Sequence, residues 1–151
     1  MRILVADDHE IVRRGLRALL ANRPEWQICD EATEGREAVE KARQSQPDVV
    51  ILDIGMPGLN GLEAARQIRK VSPRSEVLIL TMHESEQVVQ EVLAAGARGY
   101  VLKSDAGRDL VAALEALSRH KTFFTPSVTE MVLKTYLGGG GEGEVAESSA
   151  L

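Results

Sequence analysis

The sequence predicts an α/β protein built on a doubly wound parallel sheet of five strands, with helices on both faces. Three observations lead there. Short apolar runs recur at 3–6, 49–52, 77–80 and 100–102, each of strand length and rich in branched residues. Segments of roughly ten to fifteen residues with helical apolar spacing separate the strands, which implies right-handed crossovers between parallel neighbours. Each of the four runs ends on chemistry: Asp7-Asp8, Asp53, Thr81 and Lys103. Parallel strands put those ends on one edge of the sheet, where open α/β sheets take their ligands.

Taken in order, the first strand covers about Arg2–Ala6. The helix after it carries Ile11, Val12, Leu16, Leu19 and Leu20 on one face and stops before Pro24, since proline cannot donate into a continuing helix. A second strand covers about Gln27–Ala32, and Thr33 then caps a helix whose narrow apolar stripe is Ala38, Val39 and Ala42. The third strand, about Asp48–Leu52, is apolar without alternation, the pattern of a central strand covered on both faces. Behind Asp53 a turn-rich stretch leads to Asn60, with Glu63 three residues on: a capping box that opens a helix through Leu62, Ala65 and Ile68. A fourth strand, Glu76–Leu80, precedes a helix through Val88, Val89, Val92 and Leu93 that stops at Ala95-Gly96. The fifth strand is Gly99–Leu102, and its helix carries Leu110, Val111, Leu114 and Leu117.

Of the orders open to a doubly wound sheet of this size, the flavodoxin-like 2-1-3-4-5 sets the first and third strands side by side. That order brings Asp7, Asp8 and Asp53 together. Beyond His120 the character changes: Thr125-Pro126 opens a short sixth helix through Val128, Met131, Val132 and Tyr136, ending near Leu137. The expected organisation is a domain over 1–120, an additional helix or linker over 121–137, and a flexible Gly/Glu-rich tail over 138–151.

Bulk properties narrow the function classes. The formal charge is −5, and Glu142, Glu144 and Glu147 leave residues 1–137 with 20 acids against 18 bases. Neither part has the basic footprint of a nucleic-acid binder. Met1 runs straight into a strand, so no secretory signal is expected, and no apolar stretch nears the roughly 18 residues that span a bilayer. Cys29 is the only cysteine, which excludes an internal disulfide or a cysteine-held metal cluster and fits a cytoplasmic protein. Cys29 itself reads as a small buried hydrophobe.

Two adjacent acids and a third from a neighbouring strand repel one another unless a hard cation neutralises them. Oxygen ligands with room for water favour Mg²⁺, with Mn²⁺ as a substitute. Such a cation polarises a phosphoryl oxygen, and one aspartate can then attack and become an aspartyl phosphate. Lys103 would supply positive charge to the phosphoryl oxygens and Thr81 a hydrogen bond. Singly, each residue has a plainer reading: a turn or cap aspartate, a structural threonine, a solvated lysine. Their convergence on one edge carries the functional reading. His9, His83 and His120 read as exposed loop or helix-end residues rather than metal ligands.

These residues resemble a known family. Asp7-Asp8 after the first strand, Asp-x-x-Met-Pro-x-x-Asn-Gly over 53–61, Thr81 after the fourth strand and Tyr100-x-x-Lys103 at the fifth look like the response regulator receiver domain of two-component signalling. The resemblance covers about residues 1–120. It implies that Asp53 accepts a phosphoryl group from a histidine kinase and that Mg²⁺ is held by Asp8, Asp53 and the backbone carbonyl of Gly55, with Asp7 reaching it through water. It makes Lys103 the phosphate contact and Thr81 and Tyr100 a switch pair. Gly55 and His83, each two residues beyond a site residue, become candidates for tuning the lifetime of the phosphoryl group. The text around Asp8-His9-Glu10 and Thr81-Met82-His83-Glu84 is similar to the NarL/LuxR-type subfamily, in which the receiver precedes a helix-turn-helix DNA-binding domain. No such pattern follows residue 137, so the expectation is the N-terminal part of a longer transcription regulator, with DNA reached only through the absent domain. Ser104 stands where many receivers have a cis proline, and a cis bond is not expected there.

Phosphorylation would draw Thr81 towards Asp53, let Tyr100 turn inward and remodel the surface around the fourth and fifth helices, favouring a homodimer. One charge-assisted hydrogen bond contributes about 1.5–3 kcal/mol, whereas moving a population from 1:99 to 99:1 needs about 5.5 kcal/mol. Thr81 alone is insufficient, so Lys103, the metal and self-association must add the rest. Apart from this self-phosphorylation and its reversal, no enzyme activity is expected. The competing reading is a Mg²⁺-dependent phosphohydrolase acting on a small molecule through an aspartyl phosphate. Such enzymes place a second acid two residues beyond the nucleophile, where this chain has Gly55, and carry a cap for which no insertion is long enough.

Overall fold

In the computed structural model, which describes residues 1–82, 85–124 and 126–134, the apolar runs become parallel strands separated by helices. The elements are β1 (Arg2–Ala6), α1 (Glu10–Leu20), β2 (Gln27–Ala32), α2 (Gly35–Ser45), β3 (Val49–Asp53), α3 (Gly61–Val71), β4 (Glu76–Thr81), α4 (Glu86–Ala94), β5 (Gly99–Leu102), α5 (Ala106–Ser118), β6 (Phe123–Phe124) and α6 (Pro126–Lys134). The strand order is β2-β1-β3-β4-β5-β6, and every pairing is parallel.

Alternation along the strands divides the core in two. Leu4, Ala6, Val50, Leu52, Val77, Ile79 and Tyr100 face a layer formed by α2, α3, α4 and α6. Ile3, Val5, Val49, Ile51, Leu78, Leu80 and Val101 face α1 and α5. β3 and β4 are buried along their whole length, and helix side chains such as Ile68 of α3 and Leu114 of α5, with no exposed surface, each contribute about 1.5–3 kcal/mol relative to exposure.

The expected five strands gain a sixth. Phe123 and Phe124 pair with Gly99 and Tyr100, and the Phe123 amide donates to the Arg98 carbonyl at 2.9 Å. α6 then lies against α4: Val128 is fully buried with Val89, Val92 and Tyr100, and Met131 packs at its margin. Replacing Val128 by Asp would place an unpaired charge in that layer. The expected result is faster amide hydrogen exchange across Pro126–Lys134 and α4, with protection of β1, β3 and β4 unchanged.

Local expectations fare unevenly. Asn60 is the N-cap of α3, its side chain accepting from the Glu63 amide at 2.9 Å, and Gly96 follows α4 with φ +90°. Thr33 does not cap α2: Glu34 holds that place, and Thr33 donates its amide and hydroxyl to Glu37. Ile11 is 79% exposed rather than buried, because it sits in the first turn of α1 beyond the end of the sheet. Cys29 is half-buried: the β1–β2 register passes from Ile3↔Ile28 to Leu4↔Asp30, leaving Cys29 as the extra residue of a bulge in an edge strand. Every peptide bond is trans among the described residues, Lys103–Ser104 included. His83, Thr125, Tyr136, the end near Leu137 and the tail 138–151 lie outside the described residues. No described helix is long and apolar enough to cross a membrane.

Candidate functional site

The β1–β3 pairing sets Ala6 beside Leu52, so the chain leaves both strands at the same height and delivers Asp7 and Asp53 to one pocket. Both are buried, at 1% and 4% exposure. Backbone contacts fix Asp7: its amide donates to the Ala32 carbonyl at 3.0 Å and its own carbonyl accepts from Arg13 Nη1 at 2.6 Å. Arg13 is in turn anchored by Glu10 and Glu31. Asp53 Oδ1 accepts from the Gly55 amide at 3.0 Å.

Lys103, delivered by β5, bridges the two acids. Its Nζ lies 3.0 Å from Asp7 Oδ2 and 3.2 Å from Asp53 Oδ2. Asp7 Oδ2 is fully buried, and the Lys103 ammonium is the charged group set against it. Asp8 is more exposed, and the His9 ring Nδ1 stands 3.1 Å from Asp7 Oδ1 and 3.2 Å from Asp8 Oδ1. One donor atom from each of Asp7, Asp8, His9 and Asp53 lies within 4.8 Å of the others. Asp53, Gly55, Thr81, Met82 and Val88 line an open recess of about 350 Å³.

Burial is the largest influence on Asp53 and pushes its carboxyl above the usual carboxylate range; the Gly55 amide and Lys103 pull the other way, and the Asp7 charge adds to the push. Burial alone would pull the Lys103 ammonium down, but the facing Asp7 and Asp53 carboxylates outweigh it and hold it above the ordinary lysine value. Folded Asp53 therefore binds its proton more tightly than the unfolded chain does. Its contribution to stability is greatest at low pH and is lost as pH rises from the unfolded value of about 3.9 through the folded one. Asp53→Asn, neutral throughout, is expected to be more stable than the native chain at pH 7 without divalent metal, with the margin closing towards pH 4. Denaturant midpoints across that range check it.

The structure brings Asp7, Asp8, Asp53 and Lys103 together, with Thr81 on the rim of the same recess. Tyr100 stands apart from this pocket: its side chain has no exposed surface and belongs to the layer shared with α4 and α6. The ring is thus already inward. Gly55 meets Asp53 through its amide. His9, expected as an exposed helix-end residue, stands at the N-cap position of α1 with its side chain 59% exposed.

The fold and pocket define an open α/β domain with an acidic site at the carboxyl ends of its strands, and comparison with known proteins gives its family. The chain belongs to the response regulator receiver domain family, whose model matches residues 3–115. It is 36% identical over 143 residues to the oxygen regulatory protein NreC of Staphylococcus carnosus, covering 94% of this chain and 66% of that one. Among solved structures it resembles a LuxR-family two-component response regulator from Aurantimonas sp. SI85-9A1, with TM-score 0.83, 36% identity and coverage of 90% and 97%. RcsB is similar too, both as the isolated REC domain of Salmonella enterica serovar Typhimurium with the phosphomimetic BeF₃⁻ (TM-score 0.79, 30% identity, 87% and 97% covered) and as dimers bound to DNA (0.80, 30%, 89% and 68%). The chain spans 58–69% of the length of the curated relatives it matches.

Proposed function

We propose that this chain is a phosphorylation-operated signalling module in which Asp53 takes a phosphoryl group from the phosphohistidine of a sensor histidine kinase. The supporting observation is a buried carboxylate, Asp53, paired with Lys103 at 3.2 Å and bordering an open recess that Thr81 also lines. One Asp53 oxygen forms the new bond to phosphorus as the bond to the imidazole nitrogen breaks, the electron pair staying on the ring. Lys103 meets the charge on the phosphoryl oxygens, and the Thr81 hydroxyl donates to one of them.

The residues fit Mg²⁺, or Mn²⁺ in its place. Asp7, Asp8 and Asp53 offer carboxylate oxygens within 4.8 Å of one another, a donor set that suits a hard cation. Asp8, Asp53 and the Gly55 carbonyl would hold the ion, with Asp7 reaching it through water. Bound there, it neutralises the acids and polarises a phosphoryl oxygen. By the family resemblance, Gly55 and His83 tune the lifetime of the product against attack by water.

Thr81 and Tyr100 act as the switch pair. Because Tyr100 pairs with Phe124 across the sheet and shares its layer with Val128, a change at Thr81 reaches α6 as well as α4. The outcome is homodimerisation and control of a DNA-binding helix-turn-helix domain following this chain in the cytoplasm. The RcsB dimers on DNA and the partial span of the curated relatives support this reading.

Incubation with Mg²⁺ and acetyl phosphate, followed by intact mass, tests it. The expected result is one stable phosphoryl addition, lost in Asp53→Asn. Continuous phosphate release without accumulation would favour a phosphohydrolase, and no reaction would overturn the proposal.

A further inference from the structure

We infer that Met82 is an oxidation site at the mouth of the Asp53 recess, where conversion of its thioether to the sulfoxide by a peroxide slows phosphoryl transfer reversibly. The inference rests on the reading above that Asp53 accepts the phosphoryl group. Its own ground is where the four methionines sit. Met56 is buried at 4% exposure in the layer around α3. Met1 packs against the layer of Ile3 and Met131 against that of Val128, and both are half-buried. Met82 is 67% exposed. β4 ends at Thr81, so Met82 is the first residue beyond the sheet edge. There it lines the same recess as Asp53, Gly55 and Thr81.

Exposure and placement together make the modification selective and consequential. A peroxide reaches the Met82 sulfur from solvent, whereas Met56 must wait for the core to open. The sulfur lone pair attacks one peroxide oxygen, and the sulfur–oxygen bond forms as the oxygen–oxygen bond breaks. The second oxygen leaves with the proton as water; sulfur has lost two electrons and the peroxide has gained them. Ile54, Met82 and Val88 form the apolar part of the recess lining, and a thioether is flexible and soft enough to give way to an entering group. The sulfoxide is polar and presents only an acceptor oxygen. The phosphoryl group that must enter also presents only acceptors, each carrying negative charge, so the two repel. A thiol-dependent sulfoxide reductase reverses the change: the oxygen leaves as water while two thiols become a disulfide.

The test treats the full chain with hydrogen peroxide, maps the added oxygen by peptide mass, and then measures labelling by acetyl phosphate with Mg²⁺. Met82 should gain one oxygen at least about tenfold faster than Met56. Labelling of the oxidised chain should fall by about tenfold, less than the loss of a preorganised group costs, because the sulfoxide hinders entry and removes nothing. Sulfoxide reductase with a dithiol should restore the rate. Met82→Leu keeps Cys29 and the other three methionines, so its labelling rate should be the same before and after peroxide. An unchanged thermal midpoint in the oxidised native chain separates hindered entry from unfolding. Oxidation spread evenly over the methionines, a sulfoxide at Met82 with labelling unchanged, an equal fall in Met82→Leu, or a lowered midpoint would each overturn the inference. An untreated native chain that takes no phosphoryl group would overturn the proposed role of Asp53, and this inference with it.

Discussion

Lys103→Ala is expected to be the most damaging single change in the pocket. The Lys103 ammonium stands between Asp7 and Asp53 and is itself only 9% exposed. Removing it leaves two buried carboxylates facing each other, and breaking a buried ion pair by deleting one partner costs about 3–5 kcal/mol. Two conditions should restore part of that loss. Lower pH allows Asp53, whose proton affinity is already raised, to become neutral, and a divalent cation takes over the neutralisation. Phosphoryl acceptance by the folded, metal-loaded variant should fall about 10²–10³-fold, as for the loss of one preorganised group that meets developing charge. Denaturant unfolding with and without Mg²⁺, beside acetyl phosphate labelling rates, reads both effects. Unchanged stability without metal would show that Lys103 is not what neutralises the pocket.

Gly61→Ala should disturb the same site from behind. A β-carbon at Gly61 would stand 2.3 Å from the Ile54 Cα and 2.6 Å from the Asp53 carbonyl oxygen. Both are backbone atoms, so either the start of α3 or the end of β3 must move. Overpacking of this kind costs about 1–3 kcal/mol. The displaced segment carries Asp53 and Gly55, and a misplacement of about 1 Å can cost about 10²-fold in rate. Gly15→Ala is the matched control, since nothing lies within 4 Å of a β-carbon there. On an open helix face it should instead stabilise by about 0.5–1 kcal/mol. Thermal melts and labelling rates of the pair separate a general loss of stability from displacement of Asp53. If Gly61→Ala labels at the native rate, the contact does not position the acid.

What the sequence conveyed most directly was the sheet edge. Apolar runs of three or four residues carry both the strand and the residue on which it ends, so Asp7, Asp53, Thr81 and Lys103 could be placed without coordinates. Phe123 and Phe124 gave no such signal, because two residues have no period and become a strand only when β5 offers a partner. Ile11 misled because helical spacing fixes a side chain's angle around the axis but not whether the sheet extends beneath it. Thr33 misled because its hydroxyl found the Glu37 carboxylate before a helix amide. Thr81 was legible as a strand-end residue, whereas the complete burial of Tyr100 in a layer shared with α6 was not, since no local pattern encodes that docking.

The short β6 has a further consequence for how two copies can meet. A sheet that ends on a full-length strand offers a row of unsatisfied amides and carbonyls to any similar edge. Here one border finishes on a two-residue strand with α6 following it, and the opposite border, β2, is broken by the bulge at Cys29. Neither border is a long, regular template for another molecule's strand, so association through helix surfaces is favoured over a continuous intermolecular sheet, and the same architecture guards against fibrous aggregation.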